Sequence, residues 1–254
     1  MPKEKIIEDT FIKIDKVTGK IIKSWGSNLF IMPHGLEIDK EDNIWITDVG
    51  LHQVIKYDSN GNELMVLGKE YTPGKDSLHF NLPTDIAVSE NGSFYVSDGY
   101  GNSRIIKFSS KGKYLFEWGV FGENKNEFNI PHGLDLDKNG NVYVADRENN
   151  KIQKFDSLGN FITEWKNEMI GQLYSININV DLNRDWSFSA GNDLIYGRLI
   201  PEIYEDNLFF INTSSILRIF PNFFDNISIL LIKLACAYKD LEFIVAAKIR
   251  PFLS

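Results

Sequence analysis

The sequence predicts an all-β fold, a β-propeller of four-stranded blades, on three observations. A unit opening with proline recurs at Pro33, Pro83 and Pro131, 50 and then 48 residues apart. Within each unit apolar and polar residues alternate. Asn-Gly or Lys-Gly pairs punctuate the runs at Asn60-Gly61, Asn91-Gly92, Lys111-Gly112 and Asn139-Gly140. Self-similarity at such a period fixes the architecture, because one blade cannot bury both faces and must stack on its neighbours around a central channel.

The elements follow in order. The first unit reads Pro33-His34-Gly35-Leu36-Glu37-Ile38-Asp39, then residues 43–48, then 53–58. The second reads Pro83-Thr84-Asp85-Ile86-Ala87-Val88, then 92–98, then 104–108. The third reads Pro131-His132-Gly133-Leu134-Asp135-Leu136-Asp137, then 141–146, then 151–156. Each unit closes with another strand-like run, at 63–67, 114–118 and 161–165. Ahead of the first unit, residues 11–15 and 20–25 read as the outer half of a further blade. Glycine and asparagine accept the positive φ of the tight turns that join such strands. No helical periodicity occurs before residue 165, which argues against a doubly wound α/β fold.

Composition bounds the partners. Hydrophobic residues make up 43% of the 254 and charged residues 24%, the balance of an ordinary globular chain with a sizeable core. The net charge of −8 disfavours a nucleic-acid backbone or an anionic membrane as partner. No uninterrupted apolar run is long enough to predict a spanning helix, and the N-terminal residues show no apolar signal region. The single cysteine, Cys236, excludes an internal disulfide and points only mildly to a reducing compartment.

Equivalent positions of the blades converge on the channel. The residue after each repeat proline is one such position: His34, Thr84 and His132. Two imidazoles meeting on one axis either bind zinc, for which neutral imidazole is a good ligand, or each hydrogen-bonds a neighbouring blade. The loops after Asp48, Asp98 and Asp146 are another such position. There Tyr100 is a base if cationic neighbours lower its pKa, or else caps a blade. Arg147 either forks onto a substrate carboxylate or pairs with a neighbouring acid. His52 and His79 read as structural hydrogen-bonders. Asp39, Asp48, Asp85, Asp98, Asp137 and Asp146 read as turn formers whose carboxylates accept nearby N–H groups. No phosphate-binding glycine loop, serine-nucleophile elbow or paired-cysteine zinc motif is present.

Several strings are more specific than any propeller repeat. They are Asn28-Leu29-Phe30-Ile31-Met32-Pro33-His34-Gly35-Leu36, Trp45-Ile46-Thr47-Asp48-Val49-Gly50-Leu51-His52, Ser97-Asp98-Gly99-Tyr100 and Ala145-Asp146-Arg147-Glu148-Asn149. On them, residues 6–175 resemble the peptidyl-α-hydroxyglycine α-amidating lyase family, a six-bladed propeller of NHL repeats. The resemblance implies cleavage of a peptidyl-α-hydroxyglycine to a peptide amide and glyoxylate. It implies His34 and His132 as two of three zinc ligands, Tyr100 as catalytic base and Arg147 as the arginine engaging substrate. It also implies a structural calcium on the Leu36 carbonyl, a copper monooxygenase as upstream partner, and a secreted or secretory-lumen setting. A non-catalytic NHL propeller that binds a peptide or protein is the runner-up.

The sequence departs from that family. No histidine follows His132, whereas the family's third zinc histidine lies in a late blade. The family's first-blade arginine has no counterpart, and Gly101 follows Tyr100 where the family has a disulfide cysteine. Residues 1–175 therefore read as a partial lyase domain of three to four recognisable blades, and 176–254 as a divergent tail. In that tail the spacing of Ile229, Ile232, Lys233 and Cys236 suits a helix. The abrupt change of composition favours a truncated or misread end over a genuinely divergent one. With two metal histidines, the expected activity is weak or absent.

Overall fold

The computed structural model describes residues 3–13, 18, 20–166 and 172–178, and the backbone alone of 14–15, 185–190, 193–198, 211–212, 234–236 and 242–246. The three predicted units are three antiparallel four-stranded sheets, each in consecutive strand order. Ahead of them β1 (Phe11–Asp15) pairs with β2 (Ile21–Trp25). The first unit is β3 (Pro33–Ile38), β4 (Ile44–Asp48), β5 (Gln53–Tyr57) and β6 (Glu63–Leu67). The second is β7 (Asp85–Val88), β8 (Phe94–Asp98), β9 (Arg104–Phe108) and β10 (Tyr114–Trp118). A short parallel pair, β11 (Val120–Phe121) and β12 (Glu127–Phe128), precedes the third. That unit is β13 (Pro131–Leu136), β14 (Val142–Asp146), β15 (Lys151–Phe155) and β16 (Phe161–Lys166).

The tail adds strands to this series. A fourth sheet follows as β17 (Leu173–Ile178), β18 (Asp185–Ala190), β19 (Asp193–Arg198) and β20 (Ile211–Asn212). The last strands, β21 (Leu234–Cys236) and β22 (Glu242–Ala246), join β1 and β2 in the order β2-β1-β22-β21. Residues 11–15 and 20–25 thus form the outer half of a sheet, as the sequence predicts. Of the helical spacing, Ile229, Ile232 and Lys233 lie outside the described residues, and Cys236 sits in a strand.

Burial explains the strand patterns. In β4, β8 and β14 all five residues are buried, so Ile-Trp-Ile-Thr-Asp and its relatives are sandwiched on both faces. The outer strand β10 alternates half-buried and exposed. The core lies between successive sheets. Trp45 and Val54 of the first unit pack with Phe94, Val96 and Ile106 of the second. Tyr95 and Ile105 of the second pack with Leu134 and Val144 of the third. Leu36 fills the layer it shares with Phe11 and Phe30.

The hairpin turns follow their sequence chemistry. The Asp39 carboxylate accepts the Asn43 backbone and side-chain N–H groups, both at 3.0 Å. Asp58, Asp137 and Asp156 hold Asn62, Asn141 and Asn160 in the same way. These are aspartate-anchored turns.

Gly35 is needed for close approach between sheets. A Cβ there would lie 2.6 Å from Asp85 Oδ1 and 2.7 Å from Asp85 Cα. Backbone of the next sheet cannot yield as a flexible side chain does. Gly35→Ala is expected to cost about 2 kcal/mol, the scale of core overpacking, read from the urea unfolding midpoint.

Candidate active site

Three buried aspartates set the strand entrances. Asp48 accepts the Ile31 N–H at 2.8 Å, Asp98 the Asn81 N–H at 2.8 Å, and Asp146 the Asn129 N–H at 2.8 Å. Each partner lies two residues before a repeat proline. The sequence reading made these acids turn formers, and Asp85 with them. Asp48 acts as one, accepting the Leu51 N–H at 2.9 Å, whereas Asp85 lies in β7, and all four are buried. The first three anchor the chain entering the inner strand, and Asp85 takes the Leu134 N–H of the next sheet at 3.0 Å. Loss of solvent raises the pKa of Asp48 and Asp98, and that of Asp146 to about 6, against the N–H groups that favour the carboxylate.

The inner strands then hand side chains from sheet to sheet. His34 Nδ1 lies 2.6 Å from the Thr84 carbonyl, the Thr84 hydroxyl 2.8 Å from the Pro131 carbonyl, and His132 Nδ1 2.5 Å from the Tyr174 carbonyl. A carbonyl only accepts, so each Nδ1 carries a proton. Both Nε2 atoms face the Tyr100 hydroxyl, at 3.2 Å from His34 and 2.9 Å from His132. The imidazole centroids are 4.7 Å apart.

Charge and burial sharpen this. His132 is buried and its pKa falls well below the imidazole range, first through burial and then through His34. Tyr100, half-buried, has its pKa raised by burial, while the Arg147 charge opposes the rise. Arg147 opens a 3-10 turn, Arg147–Asn149, directly after β14. Its guanidinium carbon is 5.4 Å from the Tyr100 ring centroid and 5.3 Å from that of Tyr174. Glu148 Oε1 accepts from Arg147 Nε and Nη2, each at 2.8 Å.

The fold therefore gathers His34, His132, Tyr100 and Arg147 into one site. Of the two readings of the histidines, the geometry shows the hydrogen bond to a neighbouring sheet, made by each Nδ1, while each Nε2 meets the Tyr100 hydroxyl. Arg147 is indeed paired with a neighbouring acid. Tyr174 is the residue that sequence reasoning missed. In β17 it occupies the place that His132 occupies in β13: both strands show a register shift just there, Leu173 opposite Ala190 and Pro131 opposite Asp146. Leu173 stands where the other units have proline, which hid the equivalence.

Known proteins place the sequence among repeat proteins. The NHL repeat family matches residues 80–108 and 128–155. A Drosophila melanogaster protein named peptidyl-alpha-hydroxyglycine alpha-amidating lyase 1 is 41% identical over 185 residues, 67% of this chain and 34% of its own length. A Caenorhabditis elegans probable lyase of the same name is 44% identical over 156 residues, 60% of this chain and 45% of its own. The chain is an NHL-repeat homologue of the amidating lyases. The peptidyl-glycine alpha-amidating monooxygenase A of Xenopus laevis is 44% identical over 176 residues, 66% of this chain but 19% of that protein. The homologue spans less than half the length of each of these relatives. Among solved structures, a nidogen/laminin complex chain gives a TM-score of 0.57 at 15% identity, covering 76% of this chain and 72% of that one. At that identity the likeness speaks for the propeller fold alone.

Two further histidines of this lyase homologue are structural. His52, in the left-handed region at φ 59°, accepts the Leu82 N–H at 3.1 Å. His79 bonds Asp76 at 2.8 Å. Leu36 lies in β3 with its side chain in the core.

Proposed function

We propose that this chain is a zinc-dependent peptidyl-α-hydroxyglycine lyase, producing a C-terminally amidated peptide and glyoxylate. The observation that carries the reading is the Tyr100 hydroxyl set between two Nε2 atoms, in a homologue of proteins named for that reaction. The donor set fits zinc. Metal-bound imidazoles commonly donate their other N–H to a carbonyl, which fixes the tautomer, and both histidines do so here. When bound, zinc polarises a hydroxyl and eases its deprotonation.

The chain's own residues supply the rest. Tyr100 takes the substrate hydroxyl proton. The C–O electrons close to the aldehyde of glyoxylate as the bond to the amide nitrogen breaks, and that nitrogen gains the proton. Arg147 holds the substrate carboxylate beside the phenol. Burial raises the Tyr100 pKa above its ordinary 10 while the Arg147 charge opposes the rise; zinc held by His34 and His132 would add to that opposing charge.

Catalytic zinc sites normally use three protein ligands. Among the described residues no group of three His, Cys, Asp or Glu gathers around a metal position. Zinc affinity and turnover are therefore expected to be weak. Calcium on the Leu36 carbonyl belongs to the same proposal, and needs oxygen ligands from beyond the described residues. So do a copper monooxygenase as supplier of hydroxylated, glycine-extended peptide and a secretory-lumen setting. The relatives named amidating monooxygenase favour that pairing.

The test is single-turnover glyoxylate release from an acylated α-hydroxyglycine as zinc is titrated in and then chelated. Release that rises with zinc and stops with chelator is expected. A folded, zinc-loaded protein releasing no glyoxylate would sink the proposal.

A further inference from the structure

Resting on that reading of Arg147, we propose that Tyr174 is a positioning residue that makes Arg147 the receptor for the substrate's carboxylate. The guanidinium lies between two aromatic rings, Tyr100 at 5.4 Å and Tyr174 at 5.3 Å. Both distances are within the range of cation–π attraction. Its far edge is tied to Glu148 Oε1 through Nε and Nη2. Glu148 is itself held, because Gln172 donates to its Oε2 at 2.7 Å. The Tyr174 hydroxyl in turn donates to Gln172 Oε1 at 2.9 Å. The chain of contacts runs from Tyr174 through Gln172 and Glu148 back to Arg147, and encloses it.

This enclosure decides what Arg147 can do. Guanidinium carries five N–H donors in a fixed fork. Glu148 takes two of them, through Nε and Nη2, which leaves the Nη1–Nη2 end of the fork for an incoming acceptor. A planar carboxylate matches such a pair in two parallel bonds. Without the second ring the long side chain would sample other rotamers, and the pair would lose its direction. Tyr174 also gives its carbonyl to His132, so one residue aligns the imidazole by its backbone and the guanidinium by its ring. The geometry thus assigns preference for an acid over its neutral amide to Tyr174 as much as to Arg147.

The test uses N-benzoylglycine, which lacks the hydroxyl and cannot turn over, and its uncharged amide, N-benzoylglycinamide. Calorimetric titration of the full chain, with and without zinc, gives the ratio of their affinities. The wild type is expected to prefer the acid. Tyr174→Leu should shrink that preference about tenfold, the scale of a desolvated cation–π contact, and leave amide binding unchanged. Tyr174→Phe, which keeps the ring and loses only the hydroxyl that braces Gln172, should shrink it no more than Gln172→Ala does. Gln172→Ala, an exposed change safe for folding, should shrink it about threefold through loss of one brace. An unchanged preference in Tyr174→Leu overturns the proposal; should that variant not fold, an unchanged preference in Gln172→Ala does so. A wild type that binds acid and amide alike overturns the Arg147 reading itself, and this inference with it.

Discussion

Replacing Tyr100 with phenylalanine should leave the fold intact and slow glyoxylate release by about two to four orders of magnitude, the range of general-base catalysis. The ring stays, and with it the contacts to His34 and His132, whose centroids each lie 5.4 Å away. Arg147 keeps its aromatic neighbour. Only the hydroxyl between the two Nε2 atoms is lost, and with it the acceptor for the substrate proton. Binding of N-benzoylglycine should change little, so the loss should appear in kcat rather than KM. Zinc binding should persist, since both imidazoles remain latched by Nδ1. Near-wild-type single-turnover release from this variant would remove Tyr100 from the chemistry.

The largest effect on stability is expected at Arg104. Its side chain is fully buried and bonds Asp98 at 2.9 Å, Glu117 at 2.6 Å, and the carbonyls of His79 at 2.8 Å and Asp76 at 3.2 Å. Arg104→Met leaves Asp98 buried without its cation and unties the loop that leads into the second unit. Breaking a buried pair from one side costs about 3–5 kcal/mol, so urea unfolding should move by that amount at neutral pH. The deficit should be smaller in acid. Asp98 already has a pKa above its ordinary 3.8, through burial, and Arg104 pulls it down. Without Arg104 it rises further, so the folded variant binds a proton that the unfolded chain releases. Stability then falls as pH rises from the ordinary carboxylate value through the raised one. A deficit that does not shrink on acidification would mean that Asp98 is not the source of the cost.

Much of this was legible in the sequence, for identifiable reasons. Prolines at matching offsets and Asn-Gly turns mark where strands begin and reverse, so the three units could be placed. His34 and His132 share one repeat position, which predicts that they converge. Tyr174 shares it too, but Leu173 replaces the marker proline and no Asn-Gly or Lys-Gly pair follows it in the sequence. Asp48, Asp98 and Asp146 also anchor the chain entering the inner strand, a second role that a strand-end aspartate does not reveal in the sequence; burial separates the Asp39 type from the Asp98 type. Arg104 and Lys151 sit at strand starts, where a surface cation would look the same. Lys151 is 2% exposed and bonds two carbonyls and Glu164.

The side-chain-to-carbonyl latches carry one more consequence. His34 and His132 each take their bearing from the sheet that follows their own, through Thr84 and Tyr174. The gap between their Nε2 atoms is therefore a dimension of the stacked array, and no single repeat encodes it. Any slip between neighbouring layers would open or pinch that gap before it disturbed a single strand.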